Sequence, residues 1–191
     1  MGSYSVLYDA CVLYPAPLRD LLLRLAMVDL FRARWTETIL DECFHNLAKN
    51  RPDLQPAQFT RTRELMNAHV LEALITGHET LIPSLTLPDP DDRHVLAAAI
   101  CGGVDAIITY NLTDFPAQVL KTYGIEAQHP DEFIACQLDL GPARVLTALR
   151  EQRVVLKRNP RTLDEFLATL EQQCLVQTVA RLRRDHYTDL L

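Results

Sequence analysis

The run Val104 to Thr109 most constrains the fold of this chain. It lies between Gly102-Gly103 and the turn-forming segment "TYNLTDF". A short apolar run without alternation reads as a strand buried on both faces, the condition of a strand in a parallel sheet covered by helices. The rest of the first two thirds keeps to that alternation. Ser5-Val6-Leu7-Tyr8 reads as a first buried strand, and Leu18, Leu21, Leu22 and Leu25 recur at helical spacing after Pro15 and Pro17. A short strand is expected around Arg34-Trp35. Thr36 or Thr38 then caps a helix over "ILDECFHNLAKN", with Ile39, Cys43, Phe44 and Leu47 facing inward until Arg51-Pro52. Pro56 opens another helix, with Phe59, Leu65, Met66, Val70, Leu71 and Leu74 as its apolar stripe and Gly77 as its stop. "TLIPSL" reads as a strand, Asp91 or Asp92 opens a small-residue helix closed by Gly102-Gly103, and Pro116 to Tyr123 is a further helix before a last short strand, "GIEAQ". Strands alternating with helices predict a three-layer α/β/α sandwich with a central parallel sheet.

Beyond His129-Pro130 no strand signal remains. "DEFIACQLDL", "PARVLTALREQRVVL", "TLDEFLATLEQQCL" and "VQTVARLRRDHY" read as helices. The expected division is therefore a body over residues 1–128 and a helical C-terminal extension over 129–191. The charge divides in the same sense. Residues 1–140 hold 10 Lys/Arg against 19 Asp/Glu, a net −9, whereas residues 141–191 hold 9 against 6, a net +3, within an overall −6. A basic appendage on an acidic body points to phosphate or partner contact through Lys157, Arg158, Arg161, Arg181, Arg183 and Arg184, with an ordinary solvated helical face as the alternative. With 48% apolar residues and no stretch approaching a membrane span or a cleavable leader, the chain reads as globular and cytoplasmic, without a membrane partner. The five cysteines, Cys11, Cys43, Cys101, Cys136 and Cys174, are odd in number and widely spaced, and read as reduced core thiols.

The chemistry lies in the acids. In an open parallel sheet ligands bind beyond the carboxyl ends of the strands, and Asp9 and Asp114 stand just past two such ends. Asp92 is in a first helical turn, and Glu42 is on the edge of its helix's inward face. Taken singly, Asp92 also reads as a helix cap, Asp114 as an Asx-turn residue and Glu42 as a solvated charge. Asp9, directly after a buried strand, has few structural uses. Carboxylates packed together raise one another's pKa unless a cation takes up the charge, and an oxygen-only set suits Mg²⁺ or Mn²⁺. Among the histidines only His94 stands beside a carboxylate cluster.

The segments "VLYDACVLYPAPLRDLLLRLA", "ILDECFHNL", "DPDDRHVLAAAI" and "ITYNLTDFP", in this order, resemble the signature segments of PIN-domain ribonucleases, and more narrowly the VapC-like toxins of type II toxin–antitoxin pairs. The resemblance runs over residues 4–128, and the tail resembles a helical extension found on one subgroup. It implies a metal-dependent endoribonuclease with catalytic Asp9, Glu42, Asp92 and Asp114, of which Asp9, Asp92 and Asp114 hold the metal. Asp92 matches in preference to Asp91 because Val95, Leu96 and Ala97 keep the family's register only from there. Thr109 and Asn111 match the polar pair before the last acid and are expected to bind substrate, together with Lys157, Arg158 and Arg183 of the basic tail. The implied partners are an RNA substrate and a cognate antitoxin protein, with a homodimer left open. Cys11 departs from the pattern: Asn or Ser is frequent there, which puts a hydrogen bond of the site in doubt. Two other readings stand beside this one. A catalytically silent RNA-binding or protein-interaction module could use the same fold. An aspartyl-nucleophile phosphatase would need a second acid two residues after Asp9, where Cys11 stands. A dinucleotide enzyme lacks its Gly-rich loop.

Overall fold

A computed structural model of the chain describes residues 4–155 and 160–191. Lys157 and Arg158 lie outside the described residues. Four short strands, β1 (Ser5–Tyr8), β2 (Arg32–Arg34), β3 (Ala106–Ile108) and β4 (Glu126–Gln128), form one all-parallel sheet in the order β2-β1-β3-β4. The chain steps from β1 outward to β2, then returns past β1 to place β3 on its other side. Right-handed crossovers in opposite directions put helices on opposite faces of the sheet. The result is the expected three-layer α/β/α sandwich. The β1 to β2 crossover carries α1 (Ala10–Leu13) and α2 (Ala16–Met27). The β2 to β3 crossover carries α3 (Glu37–Asn50), α4 (Pro56–His69) and α5 (Arg93–Cys101), and α6 (Ala117–Leu120) lies between β3 and β4. The strand order reverses between β1 and β3, so the carboxyl ends of these two strands border the crevice where ligands bind in such sheets.

Local chemistry explains most boundaries. The Thr36 hydroxyl accepts from the Ile39 N–H and caps α3, while Pro17 and Pro56 stand in the first turns of α2 and α4. Three expectations are corrected. The helix from Pro56 ends at His69 and does not reach Gly77, because the chain from Ala73 to Ile75 leaves it to pair with the backbone of Trp35 on the outer edge of the sheet. "TLIPSL" is not a strand: Glu79–Ser84 is a 3₁₀ helix packed on α5, and Pro83 within it supplies no ladder donor. The cysteines are free thiols as expected, but only Cys43 is fully buried; Cys101, Cys136 and Cys174 are exposed.

The C-terminal residues form α7 (Pro130–Leu140), α8 (Pro142–Val155), α9 (Leu163–Gln172) and α10 (Val176–Arg184). Their apolar faces join the core of the sheet body. Phe133 packs edge-on against Phe31 with centroids 4.8 Å apart, α8 lies along α2, and Val145, Leu149, Phe166, Leu170, Val179 and Leu182 belong to the same continuous buried cluster as Val6 and Ile107. Asp131 secures the arrangement. It is 3% exposed, and its carboxylate accepts from Gln177 N, Thr178 N and the Thr178 hydroxyl, each at 2.8 Å, so α7 caps the start of α10. Asp131→Ala leaves three donors without a partner, the two of Thr178 buried, and is expected to cost about 2–4 kcal/mol, from roughly 1–3 kcal/mol per buried orphaned group with partial relaxation. Urea unfolding checks this, and a loss below about 1 kcal/mol would contradict it. Among the described residues no helix is long and apolar enough to cross a membrane.

Candidate active site

Asp9 follows β1 directly, and its backbone N–H still donates to the Ile108 carbonyl of β3 at 3.1 Å. It is also the N-cap of α1, a short helix the sequence reading did not separate from the turn that follows. Its side chain is 4% exposed and held on both oxygens. Oδ1 accepts from Ala10 N at 2.6 Å, and Oδ2 accepts from the Thr109 hydroxyl at 2.7 Å and the Cys11 thiol at 3.2 Å. Burial pushes the Asp9 pKa up, the bonds from Thr109 and Cys11 pull it down, and the Glu42 charge raises it further.

Cys11 does make the hydrogen bond that its departure from the family pattern put in doubt. Burial and the neighbouring Asp9 charge push its thiol up to about 12. It therefore stays protonated and remains a donor, and Sγ accepts in turn from the Tyr110 N–H at 3.3 Å. Thr109, expected among the substrate contacts, is fully buried; its hydroxyl donates to Asp9 and accepts from Asn111 N at 2.9 Å. Its place in the molecule is behind the first acid. Asn111 is exposed at the start of the 3₁₀ turn Leu112–Asp114.

The other three acids stand on separate elements. Asp92 stands between a 3₁₀ turn, Pro90–Asp92, and α5; Asp89 caps that turn through Asp91 N, and the Asp92 carboxylate makes no capping bond. Its pKa is raised to about 7, by burial first and then by the charges of Asp9, Asp89, Asp114 and Glu42. Asp9, Asp114 and Glu42 are thus each close enough for their charge to act on Asp92. Asp114 closes the 3₁₀ turn after β3, its N–H donating to the Asn111 carbonyl at 3.0 Å. Glu42 is half-exposed on α3, and its Oε2 lies 3.4 Å from His94 Nε2. His94 thus meets the second acid, not Asp92. Its Nδ1 is buried with no partner.

Arg19, which nothing in the local sequence marks, joins the helices that carry Asp9 and Glu42. Its guanidinium donates to the Leu13 and Tyr14 carbonyls at the end of α1, at 2.6 and 3.2 Å, and lies 6.0 Å from the centre of the Phe44 ring on α3. Of the basic tail, Arg161 bonds to Thr169, Arg181 pairs with Asp139, Arg184 pairs with Asp185, and half-exposed Arg183 pairs with Glu171 at 2.9 Å.

The donor chemistry fits a hard divalent ion: an oxygen-only set of carboxylates, among them Asp92, whose pKa is raised to about 7 by burial first and by the neighbouring acids second. Among the described residues no three His, Cys, Asp or Glu side chains close around one point as a ready cage.

A parallel sheet whose strand order reverses between β1 and β3, with Asp9 directly after β1 and Asp114 in the turn after β3, narrows the class, and the chain belongs to the PIN-domain family, whose model matches residues 5–113. A second family model, the VapC50 C-terminal domain, matches residues 130–184. The chain is 55% identical over 49 residues to a Mycobacterium tuberculosis protein described as "Putative ribonuclease VapC50", a match covering 26% of this chain and 29% of that protein. The match thus spans less than a third of the relative's length. No solved structure matches the chain.

Proposed function

We propose that this chain is a metal-dependent endoribonuclease that hydrolyses RNA phosphodiester bonds and acts as the toxin of a toxin–antitoxin pair. The observation that carries the reading is the geometry of Asp9, a buried carboxylate directly after β1 that is held on both oxygens by Ala10 N, Thr109 and Cys11, with Asp92 and Glu42 close enough for their charges to act on one another or on it. Acids so placed at the carboxyl end of a parallel sheet mark a candidate functional site. The family membership and the VapC50 relative support the RNA substrate and the toxin role.

When bound, Mg²⁺ or Mn²⁺ supplies a polarised water and neutralises charge on the phosphate. The protein's part is orientation. Thr109, Cys11 and Ala10 N hold Asp9 in one rotamer, and Asp92 and Asp114 complete the set proposed to hold the ion. Glu42, kept near the cluster by His94 and partly open to solvent, accepts the proton of the attacking water at its carboxylate. Asn111 at the rim, with Lys157, Arg158 and Arg183 of the tail, contacts the RNA. A cognate antitoxin would restrain the enzyme by placing a basic side chain in, or a segment over, the acidic crevice. A homodimer belongs to the same reading and is checked by light scattering.

Incubation of the purified chain with structured RNA, with Mn²⁺, with Mg²⁺ and in chelator, tests the reading. Discrete fragments ending in a free 3′-hydroxyl, formed only with metal, are expected. RNA that is bound but left intact in every condition would favour the silent module. Growth arrest on expression without an antitoxin, relieved by Asp9→Asn, tests the toxin role. Equal growth of both strains would count against it.

A further inference from the structure

Tyr110 lies between the two residues expected to bind substrate, and its side chain reaches toward the C-terminal segment. Its hydroxyl donates to the Gln173 carbonyl at 2.8 Å, where α9 ends. Its ring meets His129 edge-on, with centroids 5.2 Å apart. Its N–H reaches Cys11 Sγ, which donates to Asp9 Oδ2. The turn that Tyr110 grips is tightly held from the other side. His129 Nδ1 accepts from Asp131 N at 3.2 Å, and the Asp131 carboxylate caps α10 immediately after the turn. Cys174, in that turn, has the left-handed backbone that a non-glycine residue adopts only where its surroundings dictate it (φ 61°).

We propose that Tyr110 is a positioning residue through which the C-terminal helices hold the candidate active-site loop: its hydroxyl anchors the loop to the α9–α10 turn, and its backbone transmits that anchor through Cys11 to Asp9. The C-terminal segment is then a brace for the first acid, whatever contact its arginines make. The consequence for catalysis rests on the ribonuclease reading; the consequence for loop rigidity does not. Geometry of this kind matters because misplacement of a reacting group by about 1 Å costs on the order of a hundredfold in rate.

Tyr110→Phe in the full chain removes the hydroxyl and keeps the ring. With RNA and Mn²⁺ the variant is expected to lose about five- to tenfold in kcat, the scale of one ordinary hydrogen bond, with KM within about twofold of wild type. Amide exchange at Tyr110 and Asn111 should accelerate by a similar factor, with exchange in β1 unchanged. Tyr4→Phe is the control. It also removes hydroxyl bonds, to Glu126 at 3.0 Å and from Gln128 Nε2 at 3.2 Å, neither of which involves Tyr110, and should leave both kcat and exchange at residues 110–111 as in wild type. Wild-type kcat and wild-type exchange in Tyr110→Phe would overturn the proposal, as would equal effects from Tyr4→Phe. If the wild-type chain cleaves no RNA, the ribonuclease reading fails, and the exchange measurement still decides whether Tyr110 holds the loop.

Discussion

Asp9→Asn is expected to lower RNA cleavage about a thousandfold or more, the scale of losing one main electrostatic stabiliser, while the metal-free protein keeps its melting temperature within a few degrees. The difference between Asn and Ala at this position separates chemistry from structure. An asparagine oxygen can still accept from Ala10 N, its amide can donate to the Thr109 hydroxyl, which has a second lone pair, and the Thr109 hydroxyl, 3.4 Å from Cys11 Sγ, can turn its own proton there. The α1 cap survives and a buried charge is removed. Asp9→Ala instead orphans the Ala10 N–H and the Thr109 and Cys11 donors. At roughly 1–3 kcal/mol per unsatisfied group, and about 2–4 °C per kcal/mol for a chain of this size, it should melt on the order of 10 °C lower. Cleavage assays and thermal melts in chelator measure both. An asparagine variant that still cuts would remove Asp9 from the site. One that melts as low as the alanine variant would mean that the charge serves the fold.

In chelator, the wild-type protein is expected to lose stability as pH rises from 5 to 8. Asp92 in the folded protein has its pKa raised to about 7, against about 3.9 in the unfolded chain. Between these values the folded state keeps a proton that the unfolded state has released. The contribution is therefore fully present below the unfolded pKa and is lost as pH rises through about 7. Asp9, also raised, acts in the same direction. Asp53 and Asp185, held down by Arg51 and Arg184, act oppositely, but only below the usual carboxylate range. Mn²⁺ should reverse the loss. At a hundredfold excess over Kd it adds about 2.7 kcal/mol, and it should stabilise less at pH 5, where a proton on Asp92 competes with it. Melts at several pH values with and without Mn²⁺ check this. A flat profile in chelator, or an equal Mn²⁺ effect at pH 5 and 8, would sink the metal site.

Element types were legible wherever the signal is local. The period of Leu18, Leu21, Leu22 and Leu25 and the caps at Thr36 and Pro56 depend on residues a few positions apart, and each stands as a helix in the structure. Failures came where a distant contact overrides local preference. Val70 to Leu74 carry a helical stripe, yet the exposed backbone edge of Trp35 draws the chain out of the helix into an extended pairing. At "TLIPSL" an apolar run of strand length folds as a 3₁₀ helix against α5.

The site divides in the same way. An acid directly after a buried strand, two acids at turns and one on a helix were readable, because each position is defined by its own flanking residues. Their spacing in the crevice was not. Thr109 holds Asp9 across 100 residues of chain, Tyr110 reaches Gln173 across 63, and His94 on α5 meets Glu42 on α3. The sequence by itself determined which acids are candidates for the chemistry and on which kinds of element they stand, since periodicity and capping are short-range. Only the tertiary structure decided that Cys11 would serve as a hydrogen-bond donor, that Thr109 would sit behind the first acid, and that the Tyr110 hydroxyl would reach the end of α9. Those outcomes depend on which strand ends lie side by side, and the order β2-β1-β3-β4 is set by how the helices cross over the sheet and bury their apolar faces together.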